Sequence, residues 1–249
     1  MVIVWVILLV VPVIVVLIIL GCWRVKIPRQ ANFEGIEPPD AVEAYDRLSR
    51  WPQFRFLRHL VVRELRKYSP SGILVDAGCG PGYLVTVMVK AFPDLQIIGV
   101  DISQEMVNQA TRNLSYSGCC KRAEFRLGDL QKLPFRENEV NFVVSTLSLH
   151  HWDDPEKAIS EIYRILKPEG QFLIFDLRRD TRQFFLWLIR FAQTFVVPGP
   201  IRRVNEPTGS LLSSYTILEA RHLFSVIQLK RLTVRGGFGW MFVWGQKSG

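Results

Sequence analysis

Three aspartates occupy equivalent places in a recurring pattern. Asp76 lies in Ile73-Leu74-Val75-Asp76-Ala77, which runs directly into Gly78-Cys79-Gly80-Pro81-Gly82. Asp101 closes Ile97-Ile98-Gly99-Val100, and Asp129 follows Leu127-Gly128. A buried strand that enters a glycine-rich turn and then a helix lets a ligand approach the backbone closely, and the helix start offers free N–H groups to it. A carboxylate at the end of the next strand can accept hydrogen bonds from both hydroxyls of a ribose. A third one, a strand further on, can accept from an exocyclic amine such as that of adenine. A G-x-G-x-x-G dinucleotide fingerprint needs its third glycine at 83, where the chain has Tyr83; the glycine is at 82. That spacing argues against a dinucleotide.

The second group able to do chemistry is His150-His151-Trp152, which follows an apolar run at 140–145. A histidine there can serve as general base toward a hydroxyl or phenol. The plainer alternative is that one ring packs and the other caps Asp153 or Asp154. The four cysteines, at 22, 79, 119 and 120, contain no C-x-x-C and do not space with the histidines as a metal site, so no metal is expected.

These residues need elements to place them. The pattern predicts strands at 73–77, 96–100, 124–127, 140–145 and 171–176, and helices at 83–92, 104–114 and 155–166. The last helix has Asp153 or Asp154 as cap and Pro155 in its first turn, and it stops before Pro168 and Gly170. Asp40 to Lys67 reads as amphipathic helix interrupted at Trp51-Pro52. Val226–Val234 and Trp240–Gln246 flank Gly236-Gly237 as an antiparallel hairpin. Strand–helix alternation of this kind builds a mostly parallel sheet covered on both faces.

Every residue from 1 to 20 is apolar, and no charge occurs before Arg24. At ~1.5 Å per residue such a helix crosses roughly 30 Å of hydrocarbon. Arg24, Lys26 and Arg29 follow it, which is the wrong side for a signal peptide. The expectation is an uncleaved, single-pass anchor over 1–23 with the rest of the chain on the cytoplasmic side. Residues 24–44, rich in proline, then form a linker, and 45–249 the folded domain. Charge is uneven: residues 177–249 carry 11 Lys and Arg against 3 Asp and Glu. A basic end suits an anionic lipid surface or nucleic acid. No Asn/Asp-Pro-Pro-aromatic motif is present, so nucleic acid is not an expected partner.

Taken together, VDAGCGPG at 75–82, GVDIS at 99–103, GDLQKLPF at 128–135, STLSLHHW at 145–152 and EIYRILKPEGQFLIFD at 161–176 resemble the seven-stranded, class I S-adenosylmethionine-dependent methyltransferases. More narrowly they resemble the group that includes the quinone-ring methyltransferases. The resemblance covers about 45–176 well. It implies a Rossmann-like, doubly wound α/β fold: a mostly parallel seven-stranded sheet with an antiparallel C-terminal hairpin, here preceded by one transmembrane helix. It further implies that Asp76, Gly78 and Gly80 hold the methionine end of the cofactor. Asp101, with Ile102 beside it, binds the ribose, and Asp129 and Leu130 frame the adenine. Thr146 lies under the methionine moiety, and Tyr45, in Ala44-Tyr45-Asp46-Arg47-Leu48, which resembles the helix that covers the cofactor in that group, closes the pocket. His150 and His151 stand near the acceptor. One departure is Val140-Asn141, where the family commonly has Phe-Asp; that Asp is mostly structural.

Residues 180–215 read as an insert, a lid or substrate region. Within it, Arg182–Phe195 has the period of an amphipathic helix, with Arg182, Gln183, Arg190, Gln193 and Thr194 along one side. It suits an interfacial helix, a lid, or an ordinary packed helix, and the Pro198–Ser214 loop after it is expected to be mobile. The expected activity is methyl transfer from S-adenosylmethionine to a small, lipophilic acceptor at the membrane. The alternatives are a soluble acceptor with the anchor serving only location, and a cofactor-binding regulator without turnover.

Overall fold

The computed structural model describes Val15 and residues 21–24, 27–31, 39–118, 122–203 and 205–249. The apolar runs become strands close to the predicted bounds: β1 Ile73–Ala77, β2 Gln96–Asp101, β3 Ala123–Leu127, β4 Val140–Thr146, β5 Leu166–Leu177, β6 Leu229–Gly236 and β7 Trp240–Lys247. They form one seven-stranded sheet in the order β3-β2-β1-β4-β5-β7-β6. The first five strands are parallel; β7 runs antiparallel to both β5 and β6. The hairpin is therefore as expected, though its first strand starts at Leu229, because Phe224–Val226 is a 3-10 turn.

Around the sheet lie α1 Pro39–Ser49, α2 Pro52–Leu65, α3 Tyr83–Ala91, α4 Gln104–Tyr116, α5 Pro155–Ile165, α6 Gln183–Phe195, α7 Gly199–Arg203, α8 Thr208–Ser213 and α9 Ile217–Leu223. Pro52 at the first turn of α2 explains the break after α1. On α5 it is Asp154 that caps, accepting from the Lys157 N–H at 3.0 Å. Ala158, Ile159, Ile162 and Ile165 turn inward from it. The Pro168-Glu169-Gly170 turn does not simply end α5. It lies within β5, with Glu169 in the left-handed region at φ 64°, where the β4–β5 register shifts. Asn141 does the work of the absent aspartate: its Oδ1 accepts from the Ile73 N–H and from Lys167 Nζ, each at 3.1 Å, pinning β1 to β4 and β5.

Each face of the sheet carries its own core. Val75, Ala77, Ile98 and Val143 pack with α5 and α9 on one side; Leu74, Ile97, Phe142 and Phe175 pack with α2 and α3 on the other. A third, small cluster joins Ala44 and Leu48 of α1 to Val197 and Ile201. It sets α1 and the 180–215 insert side by side.

Two expectations change. The span 198–214 is not an open loop, because α7 and α8 fill most of it and their backbone is tied down. The Gln30 N–H donates to Leu212 O at 3.1 Å, Arg29 Nε to Ser213 O at 2.7 Å, and Arg179 Nη1 to Ser214 O. The same bonds bring residues 27–31, read as linker, onto the domain, and α1 begins at Pro39, also inside that span. The expected anchor, apart from Val15 and Gly21–Trp23, lies outside the described residues. Among the described residues no helix is long and apolar enough to cross a membrane.

Candidate functional site

In β1–β2 pairing Asp76 is opposite Gly99 and Ala77 opposite Val100, and in β1–β4 pairing Asp76 is opposite Val144. The chain goes from β1 to one side for β2 and β3 and returns to the other side for β4 and β5. Asp76 therefore sits at the point where strand order reverses, the crevice in which open α/β sheets bind ligands.

The loop after β1 is held by its own backbone and by Asp101. The Gly78 and Cys79 N–H groups donate to Val100 O at 2.8 and 3.0 Å. The Gly80 N–H donates to Asp101 Oδ2 at 2.8 Å, and the Ser103 N–H to Oδ1 at 3.0 Å. Burial raises the Asp101 pKa, partly offset by these N–H donors. Gly78 and Gly80 take φ values of 77° and 50°. They differ in surroundings: a Cβ on Gly78 would strike the Ser148 hydroxyl, whereas one on Gly80 would meet only the Tyr45 ring, 3.9 Å away. A side chain on Gly80 would therefore be in ordinary contact with the Tyr45 ring.

Asp76 is the anomaly. It is 1% exposed, and neither carboxylate oxygen has a hydrogen-bond partner. Burial, with the nearby Asp101 charge, pushes its pKa up to about 8. A buried polar group without a partner costs on the order of 1–3 kcal/mol, more when charged, and a cationic ligand at this carboxylate would offset that cost. The Thr146 hydroxyl at the end of β4 is likewise buried without a partner.

Tyr45 lies on α1, and burial together with the Glu206 and Asp101 charges pushes its hydroxyl to about 12. It faces both carboxylates. The neighbouring Asp46, whose role sequence reasoning missed, holds α1 in place. It accepts from Arg50 at 2.5 Å, the Tyr83 hydroxyl at 3.0 Å and Asn113 Nδ2 at 2.8 Å, and Asn113 also reaches Pro81 O at 2.8 Å. The covering helix is so bonded to the glycine loop and to α4.

Asp129 follows β3, with Oδ1 accepting from the Gln131 N–H at 2.8 Å. Leu130 is buried, while Ile102 is 62% exposed beside Asp101. β2 and β3 are neighbours in register Asp101 to Leu127, so Ile102, Asp129 and Leu130 share one end of the sheet. The Asp101→Ala variant should bind a ribose-bearing ligand more than about tenfold more weakly by calorimetry, since hydrogen bonds to a charged acceptor are worth about 1.5–3 kcal/mol each; here the loop anchor is lost as well.

At the ends of β4 and β5 lies a polar cluster, the His150 chamber, formed by His150, His151, Asp176 and Glu206. His150 is 1% exposed; its Nδ1 is 2.6 Å from Asp176 Oδ1, and its backbone N–H donates to Oδ2 at 3.0 Å. It neither packs passively nor caps. Burial works to lower the His150 pKa, but Asp176 outweighs it and the net shift is upward. Asp176 fixes the tautomer with the proton on Nδ1, so Nε2 carries the electron pair, and Nε2 is buried without a partner. The His151 ring lies 4.1 Å from the His150 ring, tilted by 46°, with Nε2 at 3.7 Å from Glu206 Oε1. Glu206 is buried and accepts from the Ser210 hydroxyl. Arg29 lies over the Tyr215 ring at 4.3 Å, its Nη2 buried without a partner. Asp176 and Glu206 have no site role in the sequence analysis, and Arg29 figures there only as a charge that follows the apolar segment. Asp176 does end a predicted strand, as the other three carboxylates do.

Residues 75–174 match the family described as methyltransferase domain. The chain is 28% identical over 204 residues to the biotin biosynthesis bifunctional protein BioHC of Teredinibacter turnerae, covering 77% of this chain and 36% of that protein. It is 25% identical over 219 residues to the demethylmenaquinone methyltransferase of Bacteroides fragilis, covering 81% and 86%. The chain thus spans about a third of the first relative's length. In fold it resembles an S-adenosylmethionine-dependent methyltransferase of Aquifex aeolicus, with TM-score 0.60, 20% identity, and 84% and 98% coverage.

Proposed function

We propose that this chain, which carries a class I S-adenosylmethionine-dependent methyltransferase domain, methylates a small, lipophilic acceptor at a membrane surface. The observation that carries the reading is Asp76: a buried carboxylate without a partner at the switch point of the sheet suits the ammonium group of the cofactor. Gly78 and Gly80 give the loop the left-handed turns that let the methionine end approach its backbone, and the orphaned Thr146 hydroxyl lies beneath it. Asp101 with Ile102 takes the ribose, Asp129 and Leu130 the adenine, and Tyr45 closes over them. When bound, S-adenosylmethionine supplies a sulfonium methyl already activated toward a nucleophile. The protein's task is then to orient the acceptor and to supply an electron pair where its proton must go. His150 and His151 do this: Asp176 holds His150 so that its free electron pair enters the chamber, and Glu206 lies close enough to act on both His150 and Tyr45.

A lipophilic acceptor accords with the relative named for demethylmenaquinone and with the surface of α6. There Phe184, Leu188, Phe191 and Phe195 recur at helical spacing and are 52%, 48%, 58% and 74% exposed; only Leu186 is buried. Contiguous exposed apolar surface marks an interaction site. Gly21 packs against Phe184 and Trp187, and the Gln183 N–H donates to Trp23 O at 2.8 Å, so the chain leaves the apolar segment 1–23 beside this face. In this reading the anchor and α6 share one bilayer, with the domain on its cytoplasmic side.

The test is incubation of detergent-solubilised protein with methyl-labelled S-adenosylmethionine and a total lipid extract. Label should appear in an organic-soluble product, with S-adenosylhomocysteine in equal amount. Label transferred only from a water-soluble extract would make the acceptor polar. Cofactor binding without transfer to either extract would make the chain a regulator.

A further inference from the structure

We infer that His150, His151 and Glu206 form a binding site for a divalent first-row transition cation of the zinc type. The inference rests on the proposed methyl transfer for its chemistry but not for its geometry. One ligand atom from each residue lies within 4.8 Å of the other two. Bonds of about 2.0–2.2 Å to zinc need somewhat closer ligands, within reach of small side-chain rotations.

Two further observations turn proximity into a site. The His150 Nε2 is fully buried, has no partner, and belongs to a ring that is 1% exposed. Its other nitrogen is bonded to Asp176 at 2.6 Å. That carboxylate–imidazole pairing is the outer-shell arrangement that fixes a metal-binding histidine in the right tautomer and makes it a stronger donor. Asp176 is itself fixed, accepting from the His150 and Leu177 N–H groups.

The donor set selects the ion class. Two imidazoles and one carboxylate suit zinc, cobalt or nickel; magnesium and calcium ask for more oxygen. Three protein ligands leave a fourth position open, as catalytic sites do. There the cation would bind a hydroxyl of the acceptor and lower its pKa. The proton leaves to a water molecule, and the electron pair it frees forms the bond to the methyl carbon. The carbon–sulfur pair stays on sulfur, releasing S-adenosylhomocysteine. With the cation bound, His150 and His151 act on the acceptor through it; the base role proposed above belongs to the cation-free site. Spacing could not reveal such a site, because Glu206 is distant in sequence and only the insert's fold brings it back.

The test uses the full, untagged chain. Zinc chloride titrated by calorimetry, and cobalt(II) chloride followed by visible absorption, should show stoichiometric binding with a low-symmetry cobalt spectrum. Glu206→Gln and His151→Asn should each weaken binding by at least tenfold. Asp176→Asn, which acts through His150, should weaken it by about tenfold. S-adenosylmethionine affinity, measured on the same samples, reports folding and should hold. Absence of cation binding by protein that still binds S-adenosylmethionine overturns the metal site and leaves the methyltransferase reading intact. So does unchanged binding in Glu206→Gln and His151→Asn, since the cation would then lie elsewhere. Cation binding without S-adenosylmethionine binding leaves the metal site standing and removes the methyltransferase reading.

Discussion

Asp76→Asn should strengthen the cofactor-free protein while removing its affinity for S-adenosylmethionine. In the unfolded chain this carboxyl ionises near 3.8, and in the folded chain near 8. Below the lower value both states are protonated and the group makes no pH-dependent contribution. As pH rises the unfolded state loses its proton first, so the folded state is progressively penalised, until both are ionised above 8. At pH 7 the penalty is on the order of a few kcal/mol, at about 1.4 kcal/mol per pH unit. Asparagine carries no such charge, and its unpaired amide returns part of the gain. The net expectation is a thermal midpoint several degrees higher at pH 7.5, at about 2–4 °C per kcal/mol, with the difference shrinking toward pH 4. Affinity should move the other way. A buried ion pair broken on one side costs about 3–5 kcal/mol, more than a hundredfold in dissociation constant. Wild-type binding should also release a proton below pH 8 and the variant's should not, which calorimetry in two buffers detects. A variant that binds the cofactor normally shows that Asp76 does not receive the ammonium group.

The second large effect concerns the membrane. A chain lacking residues 1–20 keeps the Trp23–Gln183 bond and the Arg24–Arg182 bridge, so α6 should retain its seat. This chain should still bind vesicles, more strongly with anionic lipid, because exposed Arg24, Arg182 and Arg190 flank the helix; each is worth about 1 kcal/mol near such a surface. Leu188→Asp combined with Phe191→Asp should reduce binding by more than a hundredfold, since each apolar side chain contributes about 1.5–3 kcal/mol when buried. Phe185 is not a suitable target: it packs against Gly239 and stacks edge-on with Phe238 at 5.6 Å. Cofactor affinity should be unchanged, as α6 contributes no group to that pocket. Sedimentation with vesicles measures the first effect and calorimetry the second. Equal vesicle binding by the double variant would show that α6 does not meet the bilayer.

Residues whose meaning is local are legible in the sequence alone. Asp76 and Asp101 lie in apolar runs that can only be buried strands, so strand ends and their carboxylates follow from a few neighbouring residues. Asp154 and Pro155 mark a helix start in the same way. Asp176 ends such a run too, but its value lies in β4 being next to β5, which decides that it meets His150. Glu206 and Arg29 depend on still longer connections. The period of α6 is visible in its residues, whereas its direction is not. Gln193 turns inward to accept from the Thr208 N–H at 3.4 Å, and the phenylalanines turn out. The apparent looseness of Pro198–Ser214 is misleading, because its backbone partners come from residues 27–31.

The cofactor is expected to lie across the strand ends with its methyl directed toward His150 and Glu206. A crystal structure with S-adenosylhomocysteine bound tests it most directly. It should show the amino group about 3 Å from an Asp76 oxygen, the ribose hydroxyls on Asp101, the adenine between Ile102 and Leu130, and the sulfur facing His150. A ligand whose amino group turns away from Asp76, or whose sulfur faces away from the chamber, would contradict it.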